Sequence, residues 1–191
     1  MSNMKHPIAK IYTSKGIITV ELYPKYAPNT VNSFIWAIRK NMYENRVIKR
    51  IVPEYVLQPS YSYFDDDDCN YMLEGEFSDN GFDNPMKMEK WTVAMAGDGT
   101  KEAHGCEFFI TLSDEAGAKL QGKYAAFGKV IDGFDVVEAL VNVELKRVYP
   151  AGMSATVYQP VQDEYMEHVE VDTFEVEYTV PKIKYWIRWG C

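Results

Sequence analysis

Apolar and polar positions alternate with a period of two along several short stretches of this chain, and fall at helical spacing along only two. Ala9 to Leu22 reads as a hairpin, with the β-prone runs AKIYT and IITVEL around Ser14-Lys15-Gly16, a turn whose glycine can take positive φ. In the second run Ile18, Val20 and Leu22 alternate with Thr19 and Glu21, the period of a half-buried strand. Pro24 and Pro28 interrupt it. From about Thr30 the spacing changes: Val31, Phe34, Ile35 and Ile38 fall at i, i+3, i+4 and i+7, which predicts a helix capped by Asn29 or Thr30.

Trp91 to Ala96, Cys106 to Leu112 and Tyr124 to Val130 read as buried strands, with loops at Leu73 to Pro85 and Gly97 to Gly105 and a turn at Gln121-Gly122. A second helix is predicted over Phe134 to Val141, with Val137 and Leu140 among its inward residues and Asp132 as its cap. His168 to Val180 alternates again, and so does IKYWIRW beyond it. Many short strands, two helices and no strand–helix–strand rhythm predict a mainly β protein, a closed or nearly closed barrel over residues 8–180. Residues 181–191 form an aromatic tail expected to dock on the barrel or on a partner.

One run does not fit a plain strand. Ile48 to Gln58, IKRIVPEYVLQ, sets Arg50 among Ile48, Ile51, Val52, Tyr55, Val56 and Leu57. A guanidinium is always charged and costly to bury, so Arg50 either turns to solvent or points into a pocket with a partner.

The 191 residues suit one domain, and a net charge of −8 argues against nucleic acid as a partner. The segment MSNMKHPIAKIY lacks the apolar core of a signal peptide, and no stretch is long and apolar enough for a membrane span, so the cytoplasm is the expected compartment. Cys69, Cys106 and Cys191 are widely spaced, with neither a disulfide framework nor a zinc pattern. The aspartates from Asp65 to Asp68 are adjacent rather than spaced as in a metal loop and read as a solvated segment; no metal or cofactor is expected. His6, His104 and His168 have no evident nucleophile beside them, and GDGTKEAHG lacks the setting of a phosphate loop.

Several blocks in order carry a resemblance to a known family. GIITVELYPKYAPNTVNSF, IKRIVPEYVLQ, TVAMAG, GCEFFITL and LQGKYAAFGKVIDGFDVVEAL are similar, in that order, to the conserved blocks of the cyclophilins, and GEFSDNGFDNP with VEVDTFEVEY looks most like a bacterial subgroup. The resemblance covers roughly Ile8 to Thr173. It implies a closed eight-stranded antiparallel β-barrel capped by two α-helices. It also implies a peptidyl-prolyl cis-trans isomerase acting on proline-containing peptides or unfolded proteins, without a cofactor.

Residue by residue, the resemblance puts the catalytic arginine at Arg50 and its supporting glutamine at Gln58. It puts the proline pocket at Tyr55, Val56, Phe109 and Leu120, and the small residues facing the peptide backbone at Ala94 and Ala96. Four site positions depart from the family pattern: Met95 stands for Asn, Glu107 for Gln, Lys119 for Trp and Tyr124 for His. The loss of the indole implies weak cyclosporin binding. Pro59-Ser60-Tyr61 replaces the family's Gly-Gly-Asp, so a reshaped loop is expected there. The departures keep a second reading open, a cyclophilin-fold peptide-binding or assembly module with little or no turnover. Glu107 decides most between the two, since a carboxylate can either steady Arg50 or compete for it.

Overall fold

The structure, a computed structural model, describes residues 5–60, 67–150 and 155–187. Tyr61, Asp65, Asp66, Trp189 and Cys191, which figure in the expectations above, lie outside the described residues.

The predicted hairpin forms as β1 (Ile8–Thr13) and β2 (Gly16–Leu22), and the first helix as α1 (Pro28–Arg39). Then come β3 (Arg46–Val47), β4 (Arg50–Val52), β5 (Val56–Gln58), β6 (Tyr71–Glu74), β7 (Thr92–Met95), β8 (Glu102–His104) and β9 (Phe108–Thr111). They are followed by α2 (Asp114–Leu120), β10 (Ala125–Asp132), α3 (Phe134–Val141), β11 (Leu145–Val148), β12 (Val157–Pro160), β13 (Tyr165–Asp172) and β14 (Tyr185–Trp186).

Nine strands make one antiparallel sheet in the order β3-β13-β1-β2-β10-β7-β9-β5-β4. The fold is mainly β, as predicted, but the sheet is open rather than a closed eight-stranded barrel. Its two edges, β3 and β4, are separated by only Ile48 and Lys49, so the chain brings them within about 11 Å of each other. The sheet therefore curls almost into a barrel, and among the described residues β3 and β4 are not paired across the seam. β12 lies alongside β4, paired with β11 in a small sheet of its own.

Alternation fills the inside. Phe108 and Ile110 of β9, Val93 and Met95 of β7, and Ala125 and Phe127 of β10 join one buried core. Phe34 of α1 sits at its centre, with ring centroids 5.3 Å from Phe108, 5.2 Å from Phe127 and 5.5 Å from Tyr43. Val137 and Leu140 of α3 enter the same core, as the helical spacing predicts.

The caps differ from expectation. Asn29 and Thr30 lie inside the first turn of α1, which begins at Pro28. Their backbone N–H groups donate to the buried Glu76 carboxylate at 3.0 and 2.8 Å, so a loop far along the chain supplies the acceptor. α3 has Gly133 at its cap, in the left-handed region, rather than Asp132. α2 adds a third helix that hydrophobic spacing does not mark. Its signal is polar: Ser113 accepts from Ala116 N at 3.1 Å, and Asp114 and Glu115 occupy the first turn.

Residues 174–187 run back over the barrel. Lys182 N donates to Asn29 Oδ1 at 2.8 Å, Arg39 Nη1 donates to Tyr178 O at 3.1 Å, and β14 pairs with β6. Among the described residues no helix is long and apolar enough to cross a membrane.

Candidate functional site

Several of the residues that β5, β7, β9 and β10 turn away from the barrel interior are also apolar. Val56, Ala94, Phe109 and Ala126 face outward and form a second cluster with Ala96, Met88 and Leu120, the last from the end of α2. Tyr55 and Tyr124 flank it, the Tyr124 ring standing edge-on to Phe109 at 5.4 Å. Over this floor opens a cavity of about 700 Å³, within the range of small-molecule and peptide subsites.

One wall of the cavity is polar. Arg50 and Gln58 are directly opposite across the β4–β5 pair, and Arg50 Nη1 donates to Gln58 Oε1 at 2.7 Å. Gln58 Nε2 in turn donates to Glu107 Oε2 at 3.3 Å. Arg50 Nε donates to the Thr156 carbonyl at 3.1 Å, so a residue beside β12 fixes the other end of the fork. Gln58 and Glu107 are buried, and Arg50 is half-buried at the cavity edge. A guanidinium placed this way presents a fixed positive charge to anything lying on the apolar floor.

The predicted residues converge with one exception. Arg50, Tyr55, Val56, Gln58, Ala96 and Glu107 line the cavity, as do Phe109, Leu120 and Tyr124, and Ala94 lies in the floor beneath. Met95 does not belong with them. It is fully buried in the interior core, paired with Phe108 and Ala125. Successive side chains on a strand point to opposite faces, so with Ala94 outward Met95 must turn inward. The thioether there affects core packing and takes nothing from the cavity wall. Ala96, expected with Ala94 to face the peptide backbone, lines the cavity, while its own N–H donates to Glu107 O at 2.7 Å and its carbonyl accepts from His104 N at 2.8 Å.

Other lining residues carry no signal in the hydrophobic pattern. Glu54 and Pro53 come from the β4–β5 turn, Ser113 and Glu115 from the start of α2, and Thr156 from the edge of the β11–β12 sheet. His104, placed in a loop by the sequence, lies on β8 and also lines the cavity; burial lowers its pKa to about 4, so it is neutral at pH 7. Burial also raises the Tyr124 phenol, keeping it protonated. Among the described residues no three His, Cys, Asp or Glu side chains come together to hold a metal ion.

Residues 8–171 match the family model described as cyclophilin type peptidyl-prolyl cis-trans isomerase/CLD. The peptidyl-prolyl cis-trans isomerase cyp18 of Streptomyces antibioticus is 29% identical over 141 residues, covering 71% of this chain and 83% of the relative. Peptidyl-prolyl cis-trans isomerase 9 of Schizosaccharomyces pombe is 30% identical over 136 residues, but the match spans only 22% of that longer protein. Among solved structures, a cyclophilin type peptidyl-prolyl cis-trans isomerase of Cryptosporidium parvum superposes with a TM-score of 0.70 at 19% identity, over 87% of this chain and 97% of that one. A second structure of it, in the presence of the dipeptide ala-pro, gives a TM-score of 0.67 at 21% identity, over 86% of this chain and 98% of that one.

Proposed function

The chain belongs to the cyclophilin-type peptidyl-prolyl cis-trans isomerase family, and with that activity as premise we propose how its cavity accelerates rotation about X-Pro bonds in polypeptides. Rotation costs ~18–20 kcal/mol in ordinary amides because resonance must be lost. No bond to carbon breaks, so neither a nucleophile nor a cofactor is called for. The substrate proline packs on Val56, Phe109 and Leu120, between the rings of Tyr55 and Tyr124. That contact strips water from the imide and favours its less polar, twisted form. As the prolyl nitrogen becomes pyramidal its lone pair localises, and the Arg50 guanidinium stabilises it.

The observation that carries this reading is the Arg50 fork, held by Gln58 Oε1 at 2.7 Å and by Thr156 O at 3.1 Å on the rim of an apolar floor. A charge positioned before the substrate arrives need not reorganise during rotation. Gln58 and Thr156 are positioning groups, and Arg50 is the group that meets the reacting atom. Proline-containing peptides and unfolded chains are the substrates, and a reducing cytoplasm suits the free, buried Cys69 and Cys106.

NMR exchange or a chymotrypsin-coupled assay on an Ala-Pro peptide, with wild type against Arg50→Ala, tests this. Loss of one preorganised donor is expected to lower kcat/KM by roughly 10²-fold or more. Equal rates in the two proteins would overturn the role of Arg50. Peptide binding without faster exchange in wild type would instead favour the binding-module reading, to which Glu107 and Lys119 lend support.

A further inference from the structure

We propose that Glu54 is a specificity-determining residue that favours a lysine or arginine close to the substrate proline, a proposal that rests on the peptide-binding reading of the cavity.

Glu54 occupies the tip of the β4–β5 hairpin with φ 61°, a conformation in which glycine is the unstrained residue. The turn is held from two sides. Ser113 Oγ donates to Glu54 O at 2.6 Å, and Leu112 N donates to Tyr55 O at 3.0 Å. Because Ser113 also caps α2, the hairpin tip and the first turn of α2 are tied to one residue. Glu115 of that turn lines the same cavity as Glu54, and both side chains are exposed. Among the described residues neither carboxylate takes part in an ion pair. Lys119, one turn further along α2, also lines the cavity, so this end carries two carboxylates against one ammonium. The net charge of −8 on the whole chain biases approach in the same direction.

Position along the cavity sets which peptide residue is affected. Arg50 pairs with Gln58 and Val52 with Val56, so the hairpin runs along the cavity from Arg50 to Glu54. Four residues of strand span at most about 13 Å. A peptide with its proline on Val56 and Phe109 and its imide nitrogen at Arg50 therefore brings a residue one to three positions from the proline alongside Glu54. A long cationic side chain there meets the Glu54 carboxylate, with Glu115 adding to the field.

The test uses Pro peptides carrying Lys, Gln or Glu at matched positions before or after the proline, with wild type, Glu54→Gly and Glu54→Gln. At low salt the wild-type kcat/KM for Lys over Gln peptides is expected to be about two- to five-fold, the size of an exposed ion pair, on whichever side of the proline faces the turn. Glu peptides should fall below Gln. Raising salt should shrink the ratio, since exposed charges are screened beyond about 10 Å at 0.1 M. Both variants should bring it close to one, and only Glu54→Gly should also raise the thermal midpoint, by relieving the left-handed backbone.

A Lys:Gln ratio near one in wild type on both sides, or a ratio that survives Glu54→Gln, overturns the proposal. A ratio lost in Glu54→Gly but kept in Glu54→Gln would trace it to turn shape, not charge, and overturn it as well. If no peptide is isomerised, the catalytic reading fails on its own. The same ratio is then read from peptide affinities by NMR titration, and equal affinities overturn the Glu54 proposal.

Discussion

Gln58 faces Arg50 across the β4–β5 pair and its Oε1 accepts a hydrogen bond from Arg50 Nη1 at 2.7 Å, while its own amide nitrogen turns to Glu107. Glu107, when ionised, can only accept, and the guanidinium can only donate. The Gln58 amide therefore has one orientation that satisfies both neighbours, with oxygen to Arg50 and nitrogen to Glu107. Gln58 thus links the buried carboxylate to the arginine, and we propose that Glu107 steadies the guanidinium while lowering the positive potential it offers a substrate.

Glu107→Gln keeps an acceptor for Gln58 but removes the buried negative charge. A rise of a few-fold in kcat/KM on an Ala-Pro peptide is the expected outcome. An unchanged or lower value would show that the carboxylate does not attenuate Arg50.

Lys119 stands exposed on the cavity rim at a position where an indole would add an apolar wall and a donor. Cyclosporin should accordingly bind weakly, and Lys119→Trp should tighten it by about ten-fold, the worth of roughly 1.4 kcal/mol. Titration calorimetry measures both, and a tight wild-type complex would refute the expectation.

His104 gives the fold a dependence on acid pH. Its pKa is lowered to about 4 by burial, against about 6.5 in an unfolded chain. Between those values the unfolded state binds the proton and the folded state does not, so stability falls as pH drops from 6.5 towards 4. The loss amounts to up to roughly 3 kcal/mol, and it levels off below pH 4. In urea titrations at pH 7 and pH 4.5, His104→Gln should show a smaller drop than wild type. Equal drops would place the acid sensitivity elsewhere.

The segment after Val180 contributes Ile183, packed on the interior core, and Trp186, whose ring centroid lies 5.1 Å from that of Tyr71. Lys184 also reaches Glu74 and Glu102, both at 3.0 Å. Exposed ion pairs add little, so the apolar cover decides the effect of removing it. A chain ending at Val180 is expected to melt several degrees lower, at about 2–4 °C for each kcal/mol lost. An unchanged midpoint in a thermal scan would show that the segment merely rests on the surface.

Much of the fold can be read without coordinates, and the reasons differ by element. β1, β2, α1 and α3 each bury one face against the core, so their period of two or 3.6 is written in the residues themselves. α2 has Gly117 in its middle and only a short apolar face, and it is announced by its polar cap instead. β7 and β9 are buried on both faces, inward by the core and outward by the cavity floor. A strand buried on both sides reads as a continuous apolar run, which hides which residues face the substrate. The alternation at Ala94, Met95 and Ala96 nevertheless excludes Met95 from the cavity once either alanine is placed there.

The sequence by itself determined the strand-rich class, the first hairpin and the positions of α1 and α3, and its ordered resemblance to a family pointed to Arg50 with its pocket wall. These are local periodicities and fixed residue types, legible one segment at a time. The resemblance also named Gln58 as the support of Arg50, but only the tertiary structure decided the rest of that network, Thr156 on the guanidinium and Glu107 on Gln58. Gln58 is eight positions away along the chain, Glu107 another forty-nine beyond that, and Thr156 more distant still. Hydrogen bonds between such distant positions depend on sheet order and on the curl that brings β12 beside β4, and no local pattern encodes either.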